Sequence, residues 1–262
     1  MRMDGLRSLV VGGGGAGIGR AITEAYAEQG AAVAVADVDR ARAEEAADAV
    51  RRAGRPTAAL VGDVRSTADV DAIVHGAAEA LGGLDVLVTV VGGQVAFVPA
   101  ARVHEMTDAD WDLVHDVNVR YVFRAVRAAL QVFLAQGTGG TIVSVGSVTG
   151  FMAAPEQAGY GAAKAGLLSL ARTVSAEYAG DGVRMNVVAA GAISTAVAAA
   201  HQSAAEAAQR HLRRLVRGLV GRFGRVADVA EAAVYLGSGE SSYVTGQRLV
   251  VDGGVSVRGP FS

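Results

Sequence analysis

Short, almost continuously apolar runs alternate with longer alanine-rich segments along the whole chain. Leu9–Val11, Ala32–Ala36, Ala58–Val61, Val86–Val91, Thr141–Val145, Arg184–Val188 and Arg248–Val251 read as strands, about seven in all. A strand without polar alternation needs cover on both faces, the condition of parallel strands flanked by helices. Helical stretches lie between them, near 18–29, 39–53, 67–81, 108–135, 160–179 and 226–236. Repeated strand–helix alternation favours a parallel sheet with right-handed crossovers. The expectation is therefore an α/β fold: a single doubly wound parallel sheet with helices on both faces, spanning 1–262. The segment 194–222 departs from the rhythm, because Ala196–Ala200 and Ala204–Arg217 are helical in composition but no strand follows directly. It reads as a helical flap over the carboxyl edge of the sheet.

Composition narrows the function classes. A formal net charge of −2 gives no reason to expect nucleic acid or an anionic membrane as partner. The absence of cysteine removes disulfides and thiolate metal sites, and the five histidines are scattered without ligand spacing, so no metal site is expected. Met1–Gly5 leads straight into a short apolar run and glycines, without the long apolar region and cleavage site of a signal peptide. No stretch has the length of a membrane span without charge or glycine. The chain reads as a soluble cytoplasmic protein.

Gly12-Gly13-Gly14-Gly15-Ala16-Gly17-Ile18-Gly19 follows the first strand and opens the first helix. Glycines let the turn take positive φ and let backbone approach a pyrophosphate, while the helix N-terminus supplies unpaired N–H groups. This placement predicts a Rossmann-type dinucleotide site. Asp37 closes the second strand, where an acid binds ribose hydroxyls in such folds. Two readings stand for it, ribose binding or capping of the next helix, a task Asp39 can also perform. A carboxylate there would repel a 2′-phosphate, favouring NAD over NADP. Asp63, in Gly62-Asp63-Val64 past the third strand, reads either as an acceptor for the adenine amino group or as an ordinary loop aspartate or cap.

Lys164 is the only lysine of the chain, and it lies four residues after Tyr160. That spacing puts phenol and ammonium on one helix face. An ammonium is a compact charge that can be desolvated and tuned, unlike a guanidinium. A free phenol, with a pKa of about 10, is a poor base at neutral pH. Lowering it by roughly 3 units takes about 4 kcal/mol of phenolate stabilisation, which a nearby cation in a water-poor cleft can supply. Tyr160 is therefore expected to act as acid/base, with Lys164 lowering its pKa.

Taken together, these residues resemble the short-chain dehydrogenase/reductase family over essentially the whole chain. The glycine loop matches the family's T-G-x-x-x-G-I-G through Gly13, Gly17, Ile18 and Gly19, with Gly12 in place of the threonine. Tyr160 and Lys164 match Y-x-x-x-K, and Ser147 stands at the family's separation before the tyrosine. Asn118, one of two asparagines, matches the asparagine of the catalytic tetrad. Gly191, Ile193 and Thr195 fit P-G-x-I-x-T, which holds the nicotinamide carboxamide, with Ala190 replacing the proline. Gly221–Gly224, Ser242–Gln247 and Val251–Gly254 resemble the C-terminal signature. A further departure is Thr89-Val90-Val91-Gly92 for N-N-A-G, a segment that steadies the sheet and borders the cofactor.

The resemblance implies Asn118, Ser147, Tyr160 and Lys164 as the catalytic group. Ser147 would bond the substrate oxygen, Lys164 would also hold the nicotinamide ribose, and Asn118 would position a water linking Lys164 to solvent. Gly13, Gly17, Ile18, Gly19, Asp37, Asp63, Val64, Gly92, Tyr160, Lys164, Gly191, Ile193 and Thr195 would hold the dinucleotide. The substrate side, near Gln94, Phe97, Val98, Phe151, Met152, Pro155 and Gln157, is largely apolar and suits a secondary alcohol or ketone on a hydrophobic body. Arg213, Arg214 and Arg217 in the flap are a solvated helix face or an anion contact. The expected activity is NAD-dependent alcohol–ketone interconversion in a homotetramer. The rivals are an NADPH-dependent 3-oxoacyl or polyketide-type ketoreductase and a non-catalytic dinucleotide-binding protein.

Overall fold

The computed structural model describes residues 1–195 and 219–257. In chain order the elements are β1 (Arg7–Val11), α1 (Ile18–Glu28), β2 (Ala32–Asp37), α2 (Arg40–Arg52), β3 (Thr57–Val61), α3 (Thr67–Leu81), β4 (Val86–Thr89), α4 (Asp108–His115), α5 (Tyr121–Gln136), β5 (Gly140–Ser147), α6 (Ala158–Tyr178), β6 (Val183–Ala190), β7 (Ile193–Ser194), β8 (Gly224–Arg225), α7 (Val226–Gly237) and β9 (Arg248–Val251). Seven strands form one sheet in the order β3-β2-β1-β4-β5-β6-β9, every pair parallel. The two-residue strands β7 and β8 pair separately.

Period-two alternation sorts the strand side chains into two cores. Leu9, Leu87, Ile142 and Met185 face the layer of α3, α5 and α6, with Tyr121, Phe133 and Leu167. Val10, Val33, Val88, Val143 and Val188 face α1, α2 and α7, with Ile22, Tyr26 and Val234. Tyr26 Oη donates to Ala233 O at 2.9 Å, fastening α1 to α7. Because both faces are covered, the strands carry the continuous apolar runs of the sequence.

The strand order reverses between β1 and β4. Neighbouring connections leave in opposite directions there, opening a crevice at the carboxyl ends of the strands. Gly12, Val90, Ser147 and Ala190 sit at that edge.

Two differences from the expected elements bear on this edge. β4 stops at Thr89 rather than Val91, so Val90–Gly93 is free to line the crevice. The helix expected over 108–135 is two helices, α4 and α5, joined by a π-helical turn over Asp116–Arg120. The side-chain amide of Asn118 takes the Val114 carbonyl at 2.8 Å, and Tyr121 N–H reaches five residues back to Asp116 O. Such bulges recur at functional sites. Most of the expected flap, with Arg213, Arg214 and Arg217, and the tail 258–262 lie outside the described residues. Among the described residues no helix is long and apolar enough to cross a membrane.

Candidate active site

Two adjoining cavities follow the crevice, about 720 Å³ and about 480 Å³, and share Ile18, Val90, Gly92, Ala96 and Thr195. The larger is lined by Gly12, Gly15, Gly17, Ile18, Gly19, Asp37, Asp63 and Val64 among others, and the smaller by Ser147, Tyr160, Lys164, Gly191 and Ile193. Shared walls make them one cleft, with the glycine loop at one end and the Tyr–Lys pair at the other.

The glycines of the loop have different reasons. α1 starts at Gly17 without a side-chain cap, so its first N–H groups are left for whatever enters the larger cavity. A Cβ at Gly19 would lie 2.0 Å from Gly12 O, so that position has no room for a side chain against the turn. Gly13, expected at the cofactor, does not line the cavity: a Cβ there would meet Thr23, Val35 and Val10. It is a packing glycine.

At the far end of the larger cavity the paired acids divide their tasks. Asp39 caps α2, its Oδ1 accepting from Ala41 N at 2.8 Å and Arg42 N at 3.2 Å. Asp37 is thereby released from capping; it accepts from Asp39 N at 3.1 Å and lines the cavity. Asp63 lines the same cavity and is paired within its own loop. Its two oxygens accept from Arg65 N, Nε and Nη2 at 2.6–3.1 Å, and that guanidinium holds the carboxyl below its ordinary value. Arg65 and Arg42 line the cavity as well, two cations that the sequence reading did not assign there.

In the smaller cavity α6 carries Tyr160 and Lys164 past the end of β5. Lys164 is 5 % exposed, and its Nζ donates to Val145 O at 3.0 Å and lies 5.6 Å from the centroid of the Tyr160 ring. Burial pulls the ammonium down to about 8, so it stays largely protonated at neutral pH. Burial also pushes the Tyr160 phenol above its ordinary value, and the hydrogen bond with Ser147 pulls it part of the way back. With no dinucleotide charge beside it, desolvation of the phenol outweighs the Ser147 hydrogen bond.

Ser147 is oriented by a residue that the sequence reading passed over. Its Oγ accepts from Thr149 N at 3.2 Å and from Thr149 Oγ1 at 3.0 Å. A hydroxyl has two acceptor sites and one donor, so Ser147 keeps its proton for a group in the cavity. A hydroxyl two residues after Ser147 was the available signal.

Asn118 does not line either cavity. Its Nδ2 donates to Gly93 O and Val114 O at 2.8 Å, and its Oδ1 accepts from Gly93 N at 2.9 Å. The side chain is committed to holding the loop after β4. Gly92 fits between this amide and the lysine: a Cβ there would stand 2.5 Å from Asn118 Oδ1 and 3.0 Å from Lys164 Nζ. Gly191 backs onto Asp252, whose Cα and Cβ are 2.7 Å from where its Cβ would be. Among the described residues no group of His, Cys, Asp or Glu could hold a metal ion.

Known proteins share this architecture and sequence. The family model described as enoyl-(acyl carrier protein) reductase matches residues 13–256. A 2-(S)-hydroxypropyl-CoM dehydrogenase of Xanthobacter autotrophicus is 37% identical over 95% of this chain and 96% of its own. A 3beta-hydroxysteroid dehydrogenase of Eggerthella lenta is 36% identical over 96% of this chain and 94% of its own. The structure of carveol dehydrogenase from Mycobacterium avium in complex with NAD superposes with a TM-score of 0.90 at 26% identity, covering 98% of this chain and 99% of that one. The chain belongs to the short-chain dehydrogenase/reductase family, oxidoreductases acting on CH–OH groups.

Proposed function

We propose that the protein is an NAD-dependent oxidoreductase interconverting a secondary alcohol and a ketone on a largely hydrophobic substrate. One observation carries the reading: Ser147, Tyr160 and Lys164 line a cavity continuous with the one bounded by the glycine loop and Asp37. The uncapped start of α1 and the open space beside Gly17 suit a pyrophosphate.

A bound nicotinamide dinucleotide supplies the hydride acceptor or donor and, when oxidised, a positive ring beside the phenol. Tyr160 Oη exchanges the proton with the substrate oxygen. Ser147, its acceptor sites filled by Thr149, donates to the oxygen on which charge develops. Lys164, anchored on Val145 O, adds positive charge next to the phenolate and would hold the nicotinamide ribose. Asn118 holds Gly93 and hence the wall of the cleft. Gly191, Ile193 and Thr195, which line the smaller cavity, would hold the nicotinamide end, and Asp37, in the larger one, the adenosine ribose.

The substrate end carries Val95, Ala96 and Val145, which fits an apolar body. The hydroxysteroid dehydrogenase among the relatives acts on an alcohol of that kind, as its name states. Trp111, Phe123 and Leu134 are exposed on α4 and α5, as a homotetramer interface would require.

The rival reading is an NADPH-dependent ketoreductase, favoured by Arg42 and Arg65 on the cavity wall. Initial rates with each dinucleotide decide: NAD is expected to exceed NADP by roughly 100-fold in kcat/KM, because the Asp37 carboxylate repels a 2′-phosphate. Tyr160→Phe is expected to lower kcat by at least about 100-fold, the usual contribution of general acid–base catalysis. Wild-type turnover in that variant sinks the mechanism.

A further inference from the structure

Tyr121 and Arg124 line neither cavity, yet each holds backbone that does. They stand three residues apart in the first turn of α5, on one face of the helix. Tyr121 is 1 % exposed, and its Oη donates to Val91 O at 2.8 Å. Burial pushes this phenol above its ordinary value, so it stays a neutral donor, and a side-chain hydrogen bond with Thr89 fixes it from the strand. Thr89 in turn donates to Ser144 Oγ at 2.9 Å. Arg124 is half-buried, and its Nη1 donates to Arg65 O at 2.7 Å and to Val64 O at 3.3 Å.

Arg124 differs from its neighbours on the helix. Arg120 pairs with Asp116 and Arg127 with Asp71, whereas Arg124 directs its guanidinium to two backbone carbonyls. Both carbonyls belong to the loop of Asp63, whose carboxylate already binds the Arg65 side chain. The loop is thus fastened from within by Asp63 and from α5 by Arg124. At the other anchor Val91 is pressed on the glycine turn: its Cγ2 and N lie 2.7 and 3.1 Å from where a Cβ on Gly12 would stand. Val64, Arg65, Val91 and Gly12 all line the larger cavity. One turn of helix therefore sets two stretches of its wall, one beside Asp63 and one between Val90 and Gly92, where the cavities join.

We infer that Tyr121 and Arg124 are positioning residues for the dinucleotide, each holding the wall at one of its ends without touching it. The inference rests on the dinucleotide reading of the cleft and gives each residue a half of the cofactor: Arg124 the adenosine half, Tyr121 the nicotinamide half. A wall that is already ordered carries no ordering cost on binding, so a wall released from its anchor lowers affinity.

The test is calorimetric titration of NAD and of AMP into the wild-type protein, Tyr121→Phe and Arg124→Met. Each substitution keeps the packed part of the side chain and removes its donors. One net hydrogen bond corresponds to about tenfold, so Arg124→Met is expected to weaken AMP and NAD alike, each by about tenfold. Tyr121→Phe is expected to weaken NAD by about tenfold and to leave AMP within about twofold of wild type. Thermal unfolding of the same samples separates positioning from plain stability. A merely structural anchor lowers Tm or the fraction of protein that binds, and leaves both dissociation constants at their wild-type values; that outcome overturns the inference. Equal weakening of AMP and NAD in Tyr121→Phe overturns the division of the cofactor between the two residues. Tyr121→Phe keeps its ring in the core and stays decisive by itself if Arg124→Met does not fold. If the wild type binds neither ligand, the dinucleotide reading fails and the inference with it, whereas wild-type binding that both variants retain refutes the inference alone.

Discussion

Gly12→Ala, made alone and together with Val91→Ala, probes a contact that joins two departures from the family pattern. Gly12 has φ +88°, and a Cβ built on it would stand 2.7 Å from Val91 Cγ2 and 3.1 Å from Val91 N. The methyl groups of Val91 thus occupy the space where a side chain at position 12 would go. In the single variant two costs add: about 1–2 kcal/mol for a non-glycine residue in the left-handed region, and about 1–3 kcal/mol for overpacking against Val91. Val91→Ala alone loses two methyls that pack on the α3–α5 core, typically about 1–2 kcal/mol. The double variant keeps the φ cost and the lost methyls but removes the clash with Cγ2. Its destabilisation is therefore expected to fall short of the sum of the singles by about 1–2 kcal/mol; Val91 N, still close, keeps the relief partial. Equilibrium urea unfolding of the four proteins at one protein concentration measures the cycle. Additivity within about 0.5 kcal/mol refutes the coupling, and Gly12→Ala at wild-type stability refutes the close approach itself.

Two further outcomes follow from buried cations. Lys164 has its pKa pulled from 10.5 to about 8 by burial, so between those values the unfolded chain binds the extra proton and stability rises with pH; from pH 7.5 to 9.5 the gain is about 2 kcal/mol in urea unfolding, Lys164→Met lacks it, and a flat wild-type profile refutes the burial penalty. Arg184 donates to Thr141 Oγ1, Leu236 O, Ser238 O, Ser241 Oγ and Val244 O, fastening the chain after α7 to β5 and β6; Arg184→Met is expected to cost about 2–4 kcal/mol and to lower Tm by roughly 5–10 °C, and a Tm within about 2 °C of wild type shows that these bonds do not hold the segment.

What was legible in the sequence divides along a physical line. Strands buried on both faces had to be apolar throughout, so β1 to β6 and β9 stood out as runs without knowledge of their neighbours. The pair Tyr160 and Lys164 was legible because helical spacing alone places both on one face. Features set by partners distant in sequence were not. The π-helical turn at Asn118 goes with a hydrogen bond to Val114, and the placement of Gln94 with one to Glu156, far along the chain. Asp63 was read from its place after β3, whereas its pairing with Arg65 comes from a turn that spacing does not reveal.

The balance at Tyr160 is set by burial as well as by proximity. Proximity of an ammonium suggests a lowered pKa, but the same burial that brings the two groups together penalises both charges. Lysine suits that position because its charge can yield. With Nζ held on Val145 O and only 3.0 Å from where a Cβ on Gly92 would stand, the larger guanidinium of arginine would meet the loop after β4 and would not give up its proton. A chain that uses arginine at every other basic position therefore has a physical reason to use lysine at this one: the site needs a cation small enough to share a closed cavity with Gly92 and Asn118, and one whose charge can be tuned by burial.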